Sequence, residues 1–283
     1  MTASVTAPGD LLQIAHRGAF WFARLNRPDK RNALSDALVE ALAALLERVG
    51  ADLEARALVI SGGGGHFCAG ADFAGFLALM QTAPGPAPGQ VDDPTARYNR
   101  GFGAMLERVA ALPVPTIAVV SGIAMGGGCG LAAACDRVIA AEDATFAMPE
   151  VTIGVAPAQI APFVVRRAGA RRARWLMLSG ARLKGPDAQA QGLADVVVPA
   201  AGLRAALEAE LRLLAAAEPA ALRATKRIVN RSLEASLADS LDTAALEFAG
   251  LLRHGAAREG IAATAGRRAP AWTAPLPELP EFP

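Results

Sequence analysis

The run Gly126-Gly127-Gly128 constrains the fold of this chain more than any other feature. It follows an apolar segment, Thr116 to Val120, that predicts a strand, and it leads into an Ala-rich segment that predicts a helix over Gly128 to Cys135. Glycine lets a backbone approach a neighbour closely and adopt positive φ. A helix start presents unpaired N–H groups and a partial positive charge. Such a turn suits a phosphate or a developing oxyanion. No Gly-Lys-Ser/Thr follows, so the run is not a P-loop, and the G-x-G-x-x-G spacing of a dinucleotide site is absent. Tight packing of helix on sheet is the competing explanation for a lone glycine run.

A second loop of the same kind changes that balance. Ser61-Gly62-Gly63-Gly64-Gly65-His66-Phe67-Cys68-Ala69-Gly70-Ala71-Asp72 follows the apolar strand Ala57 to Ile60 and leads into a predicted helix, Phe73 to Met80. Two strand–loop–helix units can bring two backbone N–H groups to one point, which is how an oxyanion hole is built.

The bulk composition narrows the class. The 283 residues are 53% hydrophobic and 19% charged, which supports a large core and excludes wholesale disorder. A net charge of +1 gives no electrostatic case for nucleic acid or an anionic membrane. The basic cluster Arg166, Arg167, Arg171, Arg172 and Arg174 reads as a solvated helix face. Cys68, Cys129 and Cys135 have neither disulfide nor zinc spacing and read as small buried residues. None of His16, His66 and His254 pairs visibly with a cysteine, and His66 reads as a water-exposed loop residue. Met1 to Asp10 lacks a basic start and an apolar core, so a secretory leader is not expected. The apolar stretch Pro115 to Cys135 is broken by Pro and Gly and is not a membrane span. A soluble, cytoplasmic protein is the expectation.

Along the chain, Leu11 to Ile14 and Ala19 to Leu25 predict a β-hairpin split at His16-Arg17-Gly18. Ser35 predicts an N-cap for a helix with Leu38, Leu42, Leu45 and Leu46 on its apolar face. With the strand Arg137 to Ala140, strands and helices alternate, the pattern of an α/β fold with parallel sheet. Thr82 to Asp93 is a Pro/Gly-rich insertion that is either a mobile edge of a ligand pocket or disordered. From about Ala201 the composition is helical, with Leu203, Leu207, Leu211 and Leu214 at core spacing. The Pro-rich tail after Trp272 reads as an ill-ordered or surface-draped end.

Several segments together resemble one family. They are Phe67-Cys68-Ala69-Gly70-Ala71-Asp72, Gly126-Gly127-Gly128 with Cys135-Asp136, and Phe146-Ala147-Met148-Pro149-Glu150. Leu25-Asn26-Arg27-Pro28-Asp29-Lys30-Arg31-Asn32-Ala33-Leu34 opens the series, and Arg258-Glu259-Gly260-Ile261-Ala262-Ala263 with Arg267-Arg268-Ala269-Pro270-Ala271-Trp272 closes it. In order and spacing they resemble the enoyl-CoA hydratase/isomerase (crotonase) superfamily. That resemblance implies a crotonase-like α/β spiral of repeated ββα units over about 1–200, carrying the CoA and acyl site. It implies a C-terminal helical region over 201–283 used to form a homotrimer or a dimer of trimers.

For the site, the resemblance implies the backbone N–H groups of Ala71 and Gly127 as oxyanion hole and Glu150 as catalytic acid/base. It implies Lys30, Arg31, Ala33, Ala69, Gly70 and Asp72 around the acyl-CoA substrate, of which coenzyme A is part, with no separate cofactor and no metal. Hydratases of the family carry a second glutamate where this chain has Gly130. The two-carboxylate water clamp therefore cannot be formed from these positions. An enoyl-CoA hydratase working through Glu150 alone and an enoyl-CoA isomerase with the same base both remain open. A thioester hydrolase and an acyl-CoA binder of little activity stand behind them. Pro157-Ala158-Gln159-Ile160-Ala161-Pro162-Phe163-Val164 resembles the hydratases of branched glutaconyl-CoA esters, which favours hydration. Ala158 stands where dienoyl isomerases and aryl dehalogenases place an aspartate, which disfavours those chemistries. Asp72 and Asp136 read as structural.

Overall fold

The structure, a computed structural model, describes residues 3–4, 10–72, 77, 81 and 93–281. The sequence-predicted helix Phe73 to Met80, apart from Leu77, and the insertion up to residue 92 lie outside the described residues.

Among the described residues, ten strands form two sheets. The large sheet holds seven strands in the order β1-β2-β3-β4-β5-β7-β10. β1 is Ala3–Ser4, β2 Leu12–Arg17, β3 Phe20–Leu25, β4 Ala57–Gly62, β5 Thr116–Val120, β7 Arg137–Ala141 and β10 Val196–Val198. The pairs β1–β2 and β2–β3 are antiparallel, and every pair from β3 onward is parallel. β4 and β5 are buried along their whole length. That fits a parallel sheet covered on both faces, where strands read as continuous apolar runs. The hairpin turn falls at Gly18, with φ +59, and not across His16 and Arg17, which extend β2.

The small sheet is β6 (Ile123–Met125), β8 (Thr145–Ala147) and β9 (Leu183–Lys184), in that order. Three central strands run on toward this second layer. β5 leads to β6, β7 leads to β8, and after β4 Cys68 makes a parallel bridge to Ala124. A helix then returns the chain, as in the spiral of ββα units that the resemblance implies.

Helix α1 (Asp36–Ala51) starts at Ser35, whose hydroxyl accepts from Leu38 N, and buries Leu38, Leu42, Leu45, Leu46 and Val49. Helices α2 (Pro94–Ala111) and α3 (Gly127–Ala134) follow. All eight residues of α3 are buried. Its small side chains let neighbouring segments press against the helix backbone. Two short helices, α4 (Ala161–Ala168) and α5 (Ala170–Ser179), come next, and α6 (Gly185–Ala190) precedes β10.

From Leu203 the chain is helical: α7 (Leu203–Ala216), α8 (Pro219–Ser232), α9 (Leu237–Arg253) and α10 (Ala256–Ala265). Leu203, Leu207 and Leu211 join the main core, while Leu214 packs partly buried against it. Buried cations tie these helices to the spiral. Arg56 donates to the carbonyls of Ala215, Ala217 and Trp272, near the C-terminal end of α7 where cations are favoured. Lys226 Nζ reaches Asp136 Oδ2 at 2.5 Å and Val114 O at 3.2 Å, and Asp136 also accepts from the Thr116 amide and hydroxyl. Asp136 is thus structural. Arg167 departs from the expected solvated face: its side chain is buried against Asp195 and the carbonyls of Leu193 and Cys135. The tail drapes over the surface, with Leu279 inserted into the core.

The outer helices tell a different story. Ser240 is the buried residue of α9, whereas Leu237 is 77% exposed and Leu246 76%. Leu241, Phe248 and Leu252 on the same helix are exposed too. No described helix is long and apolar enough to cross a membrane.

Candidate active site

The turn 27–34 and the loop 63–72 are stitched together. Asn32 is completely buried. Its Oδ1 accepts from Arg27 N at 2.8 Å, and its Nδ2 donates to Gly63 O at 2.9 Å and His66 O at 2.7 Å. Arg31 and Asn32 take positive φ, +48° and +59°, a conformation that Asn tolerates better than most residues. This bend turns the Arg31 carbonyl onto Ala69 N, at 2.9 Å. Arg27 completes the clamp by donating to Ala33 O at 2.6 Å and to Asp72 Oδ2 at 2.8 Å.

The clamp orients the Ala71 amide. Leu34 N donates to Gly70 O, and Asp72 N donates to Leu34 O, so Leu34 bridges the residues on either side of Ala71. In such a parallel bridge the middle residue turns its own N–H away from the partner strand. Gly70, at φ +98, presses its backbone against the start of α3. A Cβ there would lie 2.7 Å from Met125 O and 3.3 Å from Gly127 N. Gly127 is the first residue of α3, and its N–H has no acceptor within the helix. The two loops therefore meet at the start of α3, with Gly70, the neighbour of Ala71, against Gly127. Gly128 permits this closeness, since a Cβ on it would stand 2.7 Å from Cys68 Cβ. The Phe102 ring covers Gly127 from α2, its Cζ 3.1 Å from where a Cβ would be.

Glu150 opens a short 3-10 turn, Glu150–Ile153, directly after β8 and Pro149. Its carboxylate faces the same helix start: Oε1 would be 2.9 Å from a Cβ on Gly126. Oε2 is buried and has no hydrogen-bond partner among the described residues. Burial pushes the carboxyl above its ordinary value, and a hydrogen bond from its own backbone N–H opposes the shift in part. A carboxyl with a raised pKa and a bare oxygen can accept and return a proton.

The other groups divide clearly. Burial pushes the thiols of Cys68, Cys129 and Cys135 up to about 12, so they stay protonated, and the Glu150 charge adds to the effect on Cys129. Lys30 and Arg31 have exposed side chains at the rim of the clamp. Asp72 is spent on Arg27. His66 is not the exposed loop residue the sequence suggests. It is half-buried against Gly122, and its Nδ1 is enclosed without a partner among the described residues. Beside Ala71, between α1 and α2, lies a cavity of about 530 Å³ bordered by Leu34, Val39, Phe102 and Met105. Among the described residues no group of three or more His, Cys, Asp or Glu is arranged to hold a metal ion. Sequence reasoning missed Asn32 as a hub and Phe102 as a wall. The positive φ that would have flagged Asn32 is invisible before the turn is built, and Phe102 is distant in sequence from the glycines it covers.

The site is thus a desolvated glutamate at a glycine-rich helix start, set in a spiral of ββα units. The enoyl-CoA hydratase/isomerase family model matches residues 18–275, and the chain belongs to that family. It is an enzyme of the enoyl-CoA hydratase kind. It is 36% identical over 261 residues to a probable enoyl-CoA hydratase of Rhizobium meliloti, covering 92% of this chain and 96% of that protein. It is 35% identical over 250 residues to the 2,3-dehydroadipyl-CoA hydratase of Escherichia coli, covering 87% and 92%. The crystal structure of an enoyl-CoA hydratase/isomerase from Marinobacter aquaeolei superposes with a TM-score of 0.88 at 37% identity, covering 93% of this chain and 99% of that one.

Proposed function

We propose that the protein is an enoyl-CoA hydratase that adds water across the 2,3 double bond of an acyl-CoA thioester. The observation that carries this reading is the Glu150 carboxylate, with its bare Oε2, over Gly126 at the start of α3. The thioester carbonyl accepts from the Ala71 and Gly127 amides. Glu150 takes a proton from water as the oxygen adds to C3. The electron pair of the double bond moves onto the carbonyl oxygen as an enolate, which the two N–H groups hold more tightly than the neutral carbonyl. Glu150 then returns the proton to C2. Coenzyme A enters as part of the substrate and no separate cofactor is invoked.

Lys30 and Arg31, exposed on the turn that carries Ala33, are read as contacts for the CoA phosphates. Ala69 and Gly70 shape the backbone that receives the thioester, and Asp72 serves by holding that loop through Arg27. The likeness of Pro157 to Val164 to branched glutaconyl-CoA hydratases points to a branched acyl chain. Isomerisation is the second reading, favoured by Gly130: one base that lifts a proton from C2 and returns it at C4 needs no second carboxylate.

We read the exposed apolar face of α9 as covered by further copies of this chain in trimers or paired trimers, in the cytoplasm. Light scattering at micromolar concentration that finds only monomer would overturn the assembly. The activity is tested with crotonyl-CoA, 3-methylglutaconyl-CoA and a 3-enoyl-CoA. Loss of the enoyl absorbance with a 3-hydroxyacyl product supports hydration. A moved double bond supports the isomerase, free thiol a hydrolase, and binding without turnover an inactive binder.

A further inference from the structure

Two consecutive residues, Gln159 and Ile160, fill the missing side chains of two glycines on two different helices. A Cβ on Gly103 of α2 would overlap Gln159 Oε1 and lie 2.8 Å from its Cδ. A Cβ on Gly130 of α3 would overlap Ile160 Cγ2 and lie 2.7 Å from Ile160 Cβ. Real Cβ contacts essentially never fall below 3.0 Å. Gln159 is tied down further, its Nε2 donating to Asn99 Oδ1 at 2.8 Å. Ile160 is 3% exposed, and its carbonyl accepts from the amides of Phe163 and Val164, both at 3.1 Å. The segment is therefore keyed between α2 and α3, and Ile160 cannot swing away without opening the core.

Gly130 N donates to Gly126 O at 3.0 Å, so these two glycines stand one helical turn apart. The Glu150 carboxylate lies over the first and the Ile160 side chain over the second. The space that a side chain at 130 would take is thus held by hydrocarbon.

We propose that Gly130 and Ile160 form one steric unit that bars a second carboxylate from the site and leaves Glu150 to carry every proton beside an apolar wall. The absence of an acid at 130 is then enforced by shape as well as by residue choice. Ile160 is a positioning residue in this arrangement: it occupies the space that a side chain at 130 would need. The inference rests on the reading of Glu150 as the acid/base.

A double-mutant cycle tests the steric unit without reference to activity. Gly130→Ala alone should lower Tm by roughly 3–10 °C, the usual consequence of overpacking a core. In an Ile160→Gly background the same substitution should shift Tm by about 1 °C or less, since both obstructing carbons, Cγ2 and Cβ, are gone. The functional arm uses Gly130→Glu with Ile160→Gly. This double variant should fold, and its kcat/KM pH profile should gain a second ionisation that neither the wild type nor Ile160→Gly shows. Equal Tm losses from Gly130→Ala in both backgrounds would overturn the unit. So would a folded double variant with the wild-type pH profile. Undiminished turnover by Glu150→Gln would instead defeat the acid/base reading, while the Tm cycle would still report on the pair.

Discussion

The Glu150 carboxylate rests directly against the backbone of Gly126, with Oε1 2.9 Å from the place of a Cβ on that glycine. Gly126 has φ +50 and ψ −122, a combination in reach of glycine and strained for other residues. One residue thus does two things. It turns the chain from β6 into α3, and it leaves room for the acid beside the Gly127 amide. The proposed proton carrier and Gly127, one of the proposed oxyanion donors, meet at this turn.

Glu150→Gln should lower kcat for the cognate enoyl-CoA by about 10²–10⁴, the range for loss of general acid–base catalysis. Acyl-CoA binding, read by calorimetry, should persist because the amide keeps the shape. A variant that retains more than about a tenth of the rate would remove Glu150 from the chemistry, and Asp72 would be the next carboxylate to test.

Burial raises the Glu150 pKa above its ordinary value of 4.5. The ionised form is the base, so kcat/KM should fall as pH drops through that raised pKa, with the inflection above 4.5. Stability follows the opposite sign. The folded state holds this proton more tightly than the unfolded chain, so the contribution is full below the unfolded pKa and is lost as pH rises through the folded one. Glu150→Gln should therefore melt at or above the wild-type Tm at pH 7, and its advantage should shrink at pH 4. A variant less stable than wild type at pH 7 would contradict the desolvation of this carboxylate.

Asn32→Ala should destabilise the protein by about 2–4 kcal/mol, because it strands the buried Gly63 and His66 carbonyls and the Arg27 amide. The same substitution should depress kcat, since the clamp that aims Ala71 loosens. Thermal melting with steady-state kinetics checks both. An unchanged Tm would show that water satisfies these groups.

Arg31→Ala should raise KM for acyl-CoA and leave kcat nearly unchanged, the pattern of lost uniform binding. The side chain is exposed, while the Arg31 carbonyl that holds Ala69 belongs to the backbone and survives. An unaltered KM would take Arg31 out of the CoA contact.

The α/β class, the hairpin, Ser35 as a cap and the glycine loops were legible in the sequence because each depends on local chemistry. Periodicity, capping hydroxyls and runs of glycine act within a few residues. Glu150 stood out through its neighbours Phe146 to Pro149, and its burial became visible only in the fold. The burial of Leu203, Leu207 and Leu211 followed from their helical spacing alone.

Tertiary packing settled the rest. Arg167, read as solvated, became a buried partner of Asp195 because β7 and the segment before β10 close over it. His66 was drawn against Gly122 by the meeting of two loops distant in sequence. Nothing near Gly130 in the chain announces Ile160, which arrives from the far side of β7 and β8 to occupy its missing side chain. Short-range signals are written in consecutive residues. Which glycine receives which side chain depends on how the turns of the spiral stack, and that is decided only when the whole core closes.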